Sequence, residues 1–223
     1  WKETATAGFD IVSYTGNGSA RTISHSLSAV PKMFMTKRTD SSESWGVYHH
    51  TQGAGKFLRL NNTDAADTSS TLWNNTTPTS SVFSVAVGGM SNTNGGTYIA
   101  YLFAEKKGFS KFGSYIGNGS TDGTFVYTGF KPAWVMSKRT DSSGNSWRIF
   151  DNKRPGFNTS SFNFVHANLN DAEATGDAMD LNSNGFKIRT NSTDQNTSNG
   201  TYIYIAIAES PFVTSTGIPT TAR

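Results

Sequence analysis

The stretch Lys37-Arg38-Thr39-Asp40-Ser41-Ser42 occurs a second time as Lys138-Arg139-Thr140-Asp141-Ser142-Ser143. Each copy follows an apolar run, Val30 to Thr36 and Ala133 to Ser137, and each is followed by a tryptophan, Trp45 and Trp147. Asp and Ser side chains hydrogen-bond their own backbone in turns, and the Val-, Met- and aromatic-rich flanks favour a pleated chain. The reading is strand, polar turn, strand, twice over.

The repetition extends outward. Tyr14-Thr15-Gly16-Asn17-Gly18-Ser19 matches Tyr115-Ile116-Gly117-Asn118-Gly119-Ser120, and Pro31 matches Pro132. Phe83 matches Phe186, Thr97-Tyr98-Ile99 matches Thr201-Tyr202-Ile203, and Ala104-Glu105 matches Ala208-Glu209. Order is kept while the spacing drifts by small steps, the pattern of a duplicated unit with short loop insertions. Boundaries follow at 1–7 (the end of a preceding module or linker), 8–106, 107–212, and a Ser/Thr/Pro-rich tail over 213–223. Trp1-Lys2-Glu3 reads as the end of an earlier copy, and a start at Trp1 without Met is expected for a piece of a longer polypeptide.

Within each repeat the strands are expected over Phe9 to Thr15, Arg21 to His25, the run before the hexapeptide, the segment after each Trp, Val82 to Val87 and Thr97 to Ala104, with their counterparts. Thr124 to Thr128 and Phe186 to Thr190 are two of those counterparts. Helical periodicity is missing over any helical length, with one short helical turn expected within Asn168 to Met179. Tyr98 to Phe103 and Tyr202 to Ile207 lack polar alternation, so both faces of these strands are expected to be covered, by a loop, the sister repeat or another chain. The fold class is all-β: two tandem antiparallel β-sandwich modules, jelly-roll-like, related by internal duplication.

Composition narrows the function. Cysteine is absent from the 223 residues, which removes disulfides and thiolate metal sites. Charged residues make up only 16 % and the formal charge is +3, with Lys and Arg scattered, so a pI near 9.1 gives no basic patch for nucleic acid. No apolar run approaches the ~20 residues of a membrane span.

With these markers in place, the chain resembles a family of tandem β modules in tailed-phage virion proteins, common in marine phages and described as tail-fibre-like. The resemblance rests on Tyr14 to Ser19, Val30 to Asp40, Thr97 to Glu105, Gly129 to Asp141, Asn199 to Glu209 and the ending Pro211 to Arg223. It implies a non-enzymatic virion structural protein, the C-terminal part of a tail fibre or receptor-binding fibre displayed on the particle surface for host attachment. A capsid decoration or head fibre protein is the alternative within that class. A bacterial surface lectin or adhesin module and a concanavalin-like glycan hydrolase are the alternatives outside it. The partners implied are other virion proteins, a host cell-surface glycan and further copies of the chain, a trimer being the usual fibre arrangement. Neither nucleic acid nor membrane insertion is implied.

Candidate sites are few. No Gly-x-Ser-x-Gly elbow or His-Glu-x-x-His occurs, so no catalytic residue is assigned. Asp171, Glu173, Asp177 and Asp180 are loop carboxylates from which a glycosidase would need a converging pair. Asp180-Leu181-Asn182-Ser183-Asn184-Gly185 matches half a calcium loop, but Asn191 stands where a bidentate Glu is required, and an Asn-Gly turn is the simpler reading. His49-His50 are expected to point to opposite sides of a strand and so not to share a metal. No metal and no cofactor is assigned. The candidate glycan or receptor site is Trp73-Asn74-Asn75, an aromatic beside amides; against it stands a Trp73 that plugs the end of the sandwich.

Overall fold

The structure, a computed structural model, describes residues 3–176 and 178–209. The tail after Pro211, Asp177 and the first two residues of Trp1-Lys2-Glu3 lie outside the described residues. Among the described residues, those up to Asn61 together with Ala66–Glu105 form one compact unit, and Asn62–Ala65 with those from Lys106 on form a second.

In the first unit eight strands alternate with turns. They are β1 (Phe9–Thr15), β2 (Arg21–Ser24), β3 (Met33–Arg38), β4 (Gly46–His49), β5 (Lys56–Arg59), β6 (Asp67–Thr68), β7 (Val82–Val85) and β8 (Thr97–Phe103), with one helical turn, α1 (Ser70–Trp73), before β7. Six strands make one sheet in the order β1-β8-β3-β4-β5-β6, and β2 pairs with β7 in a small second sheet. Every pairing among the described residues is antiparallel. The core lies between the two sheets: Phe34, Tyr48, Ala100 and Leu102 from the large one meet Ile23, Phe83 and Val85 from the small one.

The second unit has β9 (Ser110–Ile116), β10 (Phe125–Tyr127), β11 (Pro132–Arg139), β12 (Arg148–Asp151), β13 (Asn163–His166), β14 (Ala174–Thr175), β15 (Met179–Asn182), β16 (Gly185–Ile188) and β17 (Thr201–Ala208). Its large sheet runs β9-β17-β11-β12-β13-β14, the strand order of the first unit, and its small sheet is β10-β16-β15. Val126, Leu181, Phe186 and Ile188 of the small sheet face Tyr115, Val135, Phe150 and Tyr204 of the large one. Each unit is therefore an antiparallel β-sandwich with its own core.

The quoted hexapeptide does the same work in both units. It carries the last residues of β3 or β11 into a turn. There Arg38 holds Asp40 at 2.8 Å and Arg139 holds Asp141 at 2.8 Å. The next residue ties the turn back to the neighbouring strand, through Thr39 N–H to the Thr97 carbonyl and Thr140 N–H to the Thr201 carbonyl. The Gly-Asn-Gly turn is likewise shared. A Cβ at Gly16 would lie 2.0 Å from the Thr93 carbonyl oxygen, and one at Gly117 2.2 Å from that of Thr197, so only glycine fits.

Two expectations change, for the helical turn and for the histidine pair. The segment expected to hold a helical turn contains β14 instead, and the helical turn is α1, capped by the Ser69 side chain accepting from Thr71 N–H. Trp45 and Trp147 share backbone contacts, since the N–H of each donates to an amide oxygen, of Asn61 and of Asn168. Their rings differ: Trp147 is 1 % exposed, whereas Trp45 is half-buried against Tyr101. The histidine alternation fails because β4 ends at His49; the chain turns there, and the two rings lie 5.1 Å apart. The coverage expected for the second face of β17 is present at Ile203 and Ile205, which are 1 % and 4 % exposed in the single chain, while Ile207 beside them is half-buried.

Candidate functional site

The expected site at Trp73 is placed inside the first sandwich. Leu72 and Trp73 are the buried residues of α1, and the indole packs edge-on against Phe34 at 4.8 Å between ring centroids. At 1 % exposure it presents no ring face to a sugar. Asn74 and Asn75 follow in the left-handed region, φ 52° and 49°, and are exposed, so they end the helical turn beside a buried ring. The structure thus separates the aromatic from the amides that were to work with it.

The surface that departs from the shared scaffold lies on the second unit, on the outer side of its small sheet. In β10, Val126 points into the core, which turns Phe125 and Tyr127 outward at 45 % and 63 % exposure. Register carries the outward set across the sheet. Phe125 is opposite Lys187, which is opposite Asp180; Tyr127 is opposite Gly185, which is opposite Asn182. Gly185 matters here, because a Cβ there would meet the Phe125 ring at 2.9 Å and the Val126 carbonyl oxygen at 2.1 Å. The Phe125 ring lies over the backbone of β16 in the space that the missing side chain leaves. The half calcium loop becomes the β15–β16 hairpin, with Ser183-Asn184 as its turn.

Beside this face opens a polar cleft of about 430 Å³. Thr121 and Asp122 come from the turn after β9, and Asn158, Thr159 and Ser160 from the loop between β12 and β13. Asp180 and Arg189 come from the β15–β16 hairpin and its exit. Asn158 fixes the loop by treating the edge of β15 as a strand partner: its amide oxygen accepts Leu181 N–H at 2.7 Å and its amide nitrogen donates to the Leu181 carbonyl at 3.2 Å. The charges that line the cleft pair with each other or with Lys187 on the adjoining sheet face. Lys187 meets Asp122 at 2.5 Å and Arg189 meets Asp180 at 3.7 Å. The Lys187 ammonium holds the Asp122 carboxyl below the usual carboxylate range, the reverse of what a glycosidase acid requires.

Of the other carboxylates singled out in the sequence, Asp177 lies outside the described residues, and Glu173 and Asp171 do not line this cleft. Glu173 is bound by Arg154 and Asn163, which hold it below its ordinary range, Asn163 most strongly. Asp171 lies 3.8 Å from His166. Among the described residues no three His, Cys, Asp or Glu side chains cluster to hold a metal.

The first unit has no equivalent of this surface. Where the second places Phe125 and Tyr127 around Val126, the first places exposed Thr22 and Ser24 around Ile23. Among the described residues its small sheet has two strands, not three. Sequence reasoning identified the Thr124 to Thr128 strand but not its outward face. The usable signal was Phe-Val-Tyr set against Thr-Ile-Ser at the matching position of the first repeat.

No curated protein and no solved structure matches this chain. One family does, a domain of unknown function (DUF7483), and its match over residues 3–211 runs through both sandwich units. The chain therefore belongs to the DUF7483 family, whose single domain spans the pair of sandwiches.

Proposed function

We propose that this chain is a non-enzymatic attachment protein of a phage virion, the C-terminal part of a tail fibre or receptor-binding fibre. It was built by duplication of one sandwich module and is displayed on the outside of the particle. The observation that carries this reading is the repetition of one strand order with its internal ties kept, while the outer face of the second small sheet carries exposed aromatics where the first carries Thr and Ser. A scaffold repeated for rigidity and varied on one exposed face suits display and binding, because loops and outer faces can change without touching either core. The resemblance to tail-fibre-like modules supports the same reading. The fibre is a homo-oligomer, a trimer by the usual rotational symmetry, and its subunit contacts lie away from Ile203 and Ile205.

Gold-labelled antibody against the chain, applied to purified particles from cells producing it, tests the proposal. Label at the tail or its fibres is expected. Label on the capsid exterior would move the protein to a head fibre, and label confined to the host envelope would make it an adhesin and overturn the reading.

A further inference from the structure

Phe125 and Tyr127 stand two residues apart on one strand, about 7 Å from each other, both facing out. A single exposed aromatic needs no explanation, but two together on a face that leads into a polar cleft do. The polar groups along that face and cleft are mixed. In the cleft Asp122 and Asp180 accept hydrogen bonds, Arg189 donates, and the hydroxyls of Thr159 and Ser160 do both; Lys187 donates from the adjoining face. Two acids face two bases, so the charges balance. A charged polymer gains no net attraction there, and a nonpolar ligand would strip water from every one of these groups.

We propose that the outer face of the β10-β16-β15 sheet and its adjoining cleft bind a neutral oligosaccharide. One sugar ring lays its C–H face on Phe125 or Tyr127, as apolar ring surface packs on an aromatic. A neighbouring sugar enters the cleft, where its hydroxyls exchange hydrogen bonds with the Asp180–Arg189 and Asp122–Lys187 pairs. Those pairs stay intact and orient the carboxylate oxygens as acceptors. The third strand, β15, is what makes this possible, since it brings Asp180 and Asn182 to the face and has no counterpart among the described residues of the first unit. This assignment deepens the attachment reading and rests on it by supplying the receptor-contacting surface.

The experiment exposes the full chain to an immobilised panel of neutral, sialylated and sulfated oligosaccharides. Three variants run beside it: Phe125→Thr with Tyr127→Ser, Asp180→Asn, and Trp73→Phe. The double variant converts the face to the residue types of the first unit, and circular dichroism checks that it folds. Retention of neutral oligosaccharides is expected, reduced at least tenfold by the double variant, reduced by Asp180→Asn and unchanged by Trp73→Phe. Three results would overturn the proposal: no neutral glycan retained, retention only of charged chains, or retention that the folded double variant leaves intact. Particle labelling is independent of this measurement, so a chain that decorates particles but binds no neutral sugar refutes the ligand and spares the attachment reading.

Discussion

Tyr115 stacks on Tyr202 with ring centroids 4.9 Å apart and planes 9° from parallel. Tyr14 and Tyr98 repeat the stack in the first unit at 5.2 Å and 12°. The rings belong to neighbouring strands at directly opposed positions, and their hydroxyls reach the loop before the last strand. Tyr202 donates to the Thr193 carbonyl at 2.8 Å and accepts from Thr197 N–H at 2.9 Å; Tyr115 donates to the Gln195 carbonyl at 3.0 Å. Tyr202→Phe keeps the stack and leaves the Thr197 donor and the Thr193 acceptor unserved. A loss of ~1–3 kcal/mol is expected in urea unfolding, and Tyr98→Phe should match it because its two bonds, to Gly89 and from Thr93, are the same. A much smaller loss in one unit would show that water replaces the hydroxyl there.

The two tryptophans should separate in the same assay. Trp147→Ala removes a ring buried in the second unit and should cost ~3–5 kcal/mol. Trp45→Ala removes a half-buried ring whose main neighbour is Tyr101, and should cost roughly half as much or less. Equal losses would mean that the exposure of Trp45 is closed in the assembled protein.

Much of the fold was legible because local chemistry set it. The hexapeptide turn, the Gly-Asn-Gly turn and the apolar strands are decided by residues within a few positions of one another. What escaped depends on distant partners. Strands β13 to β15 lie in a polar segment whose pairing comes from β12 and β16, so alternation alone does not mark them. Trp73 carries the residue types of a sugar site, yet its neighbour Phe34 decides its burial. Phe125 and Tyr127 face outward only because Val126 faces the core.

Asn196 illustrates a scaffold residue that composition concealed among many Asn. It is 0 % exposed, and its amide nitrogen donates to Asn118 Oδ1, the Ser120 carbonyl and the Thr190 carbonyl. Its amide oxygen accepts Asn118 N–H at 2.9 Å. Asn92 clasps Asn17 and Ser19 in the same way. Asn196→Asp keeps the size and the acceptor but replaces an NH2 whose two hydrogens serve three oxygens with a second acceptor facing them. It should cost at least as much as Asn196→Ala, on the order of 3 kcal/mol. Thermal unfolding of both variants checks this: an Asp variant as stable as wild type would mean the amide is not the organising donor.

The two hexapeptides diverge at their first residue, and pH should expose the difference. Lys37 is half-buried and its ammonium donates to the Glu43 carbonyl. Lys138 is fully buried, donating to the Arg139 carbonyl at 2.8 Å with the Thr63 carbonyl at 3.5 Å. Burial lowers its pKa from 10.5 to about 8, and the charges of Asp194 and Asp64 only partly oppose that shift. Between those values the unfolded chain holds the lysine proton while the folded chain has released it. Stability therefore rises with pH from about 8 toward 10.5, and this group adds no slope below that window, where both states are protonated. The full rise is on the order of 3 kcal/mol. Above about 10 the half-buried Tyr14 and the buried Tyr48 and Tyr202, whose pKa values desolvation raises, act the other way. In the unfolded chain they ionise first, so the observable rise lies between about pH 8 and 10. Lys138→Met should flatten the curve there and raise stability at pH 7, since an apolar side chain of similar length avoids burying a charge without a close counter-ion. Lys37→Met should leave the slope in place. Urea midpoints at half-unit steps from pH 7 to 10 decide it: parallel curves for wild type and Lys138→Met would show that the lysine stays charged in the fold.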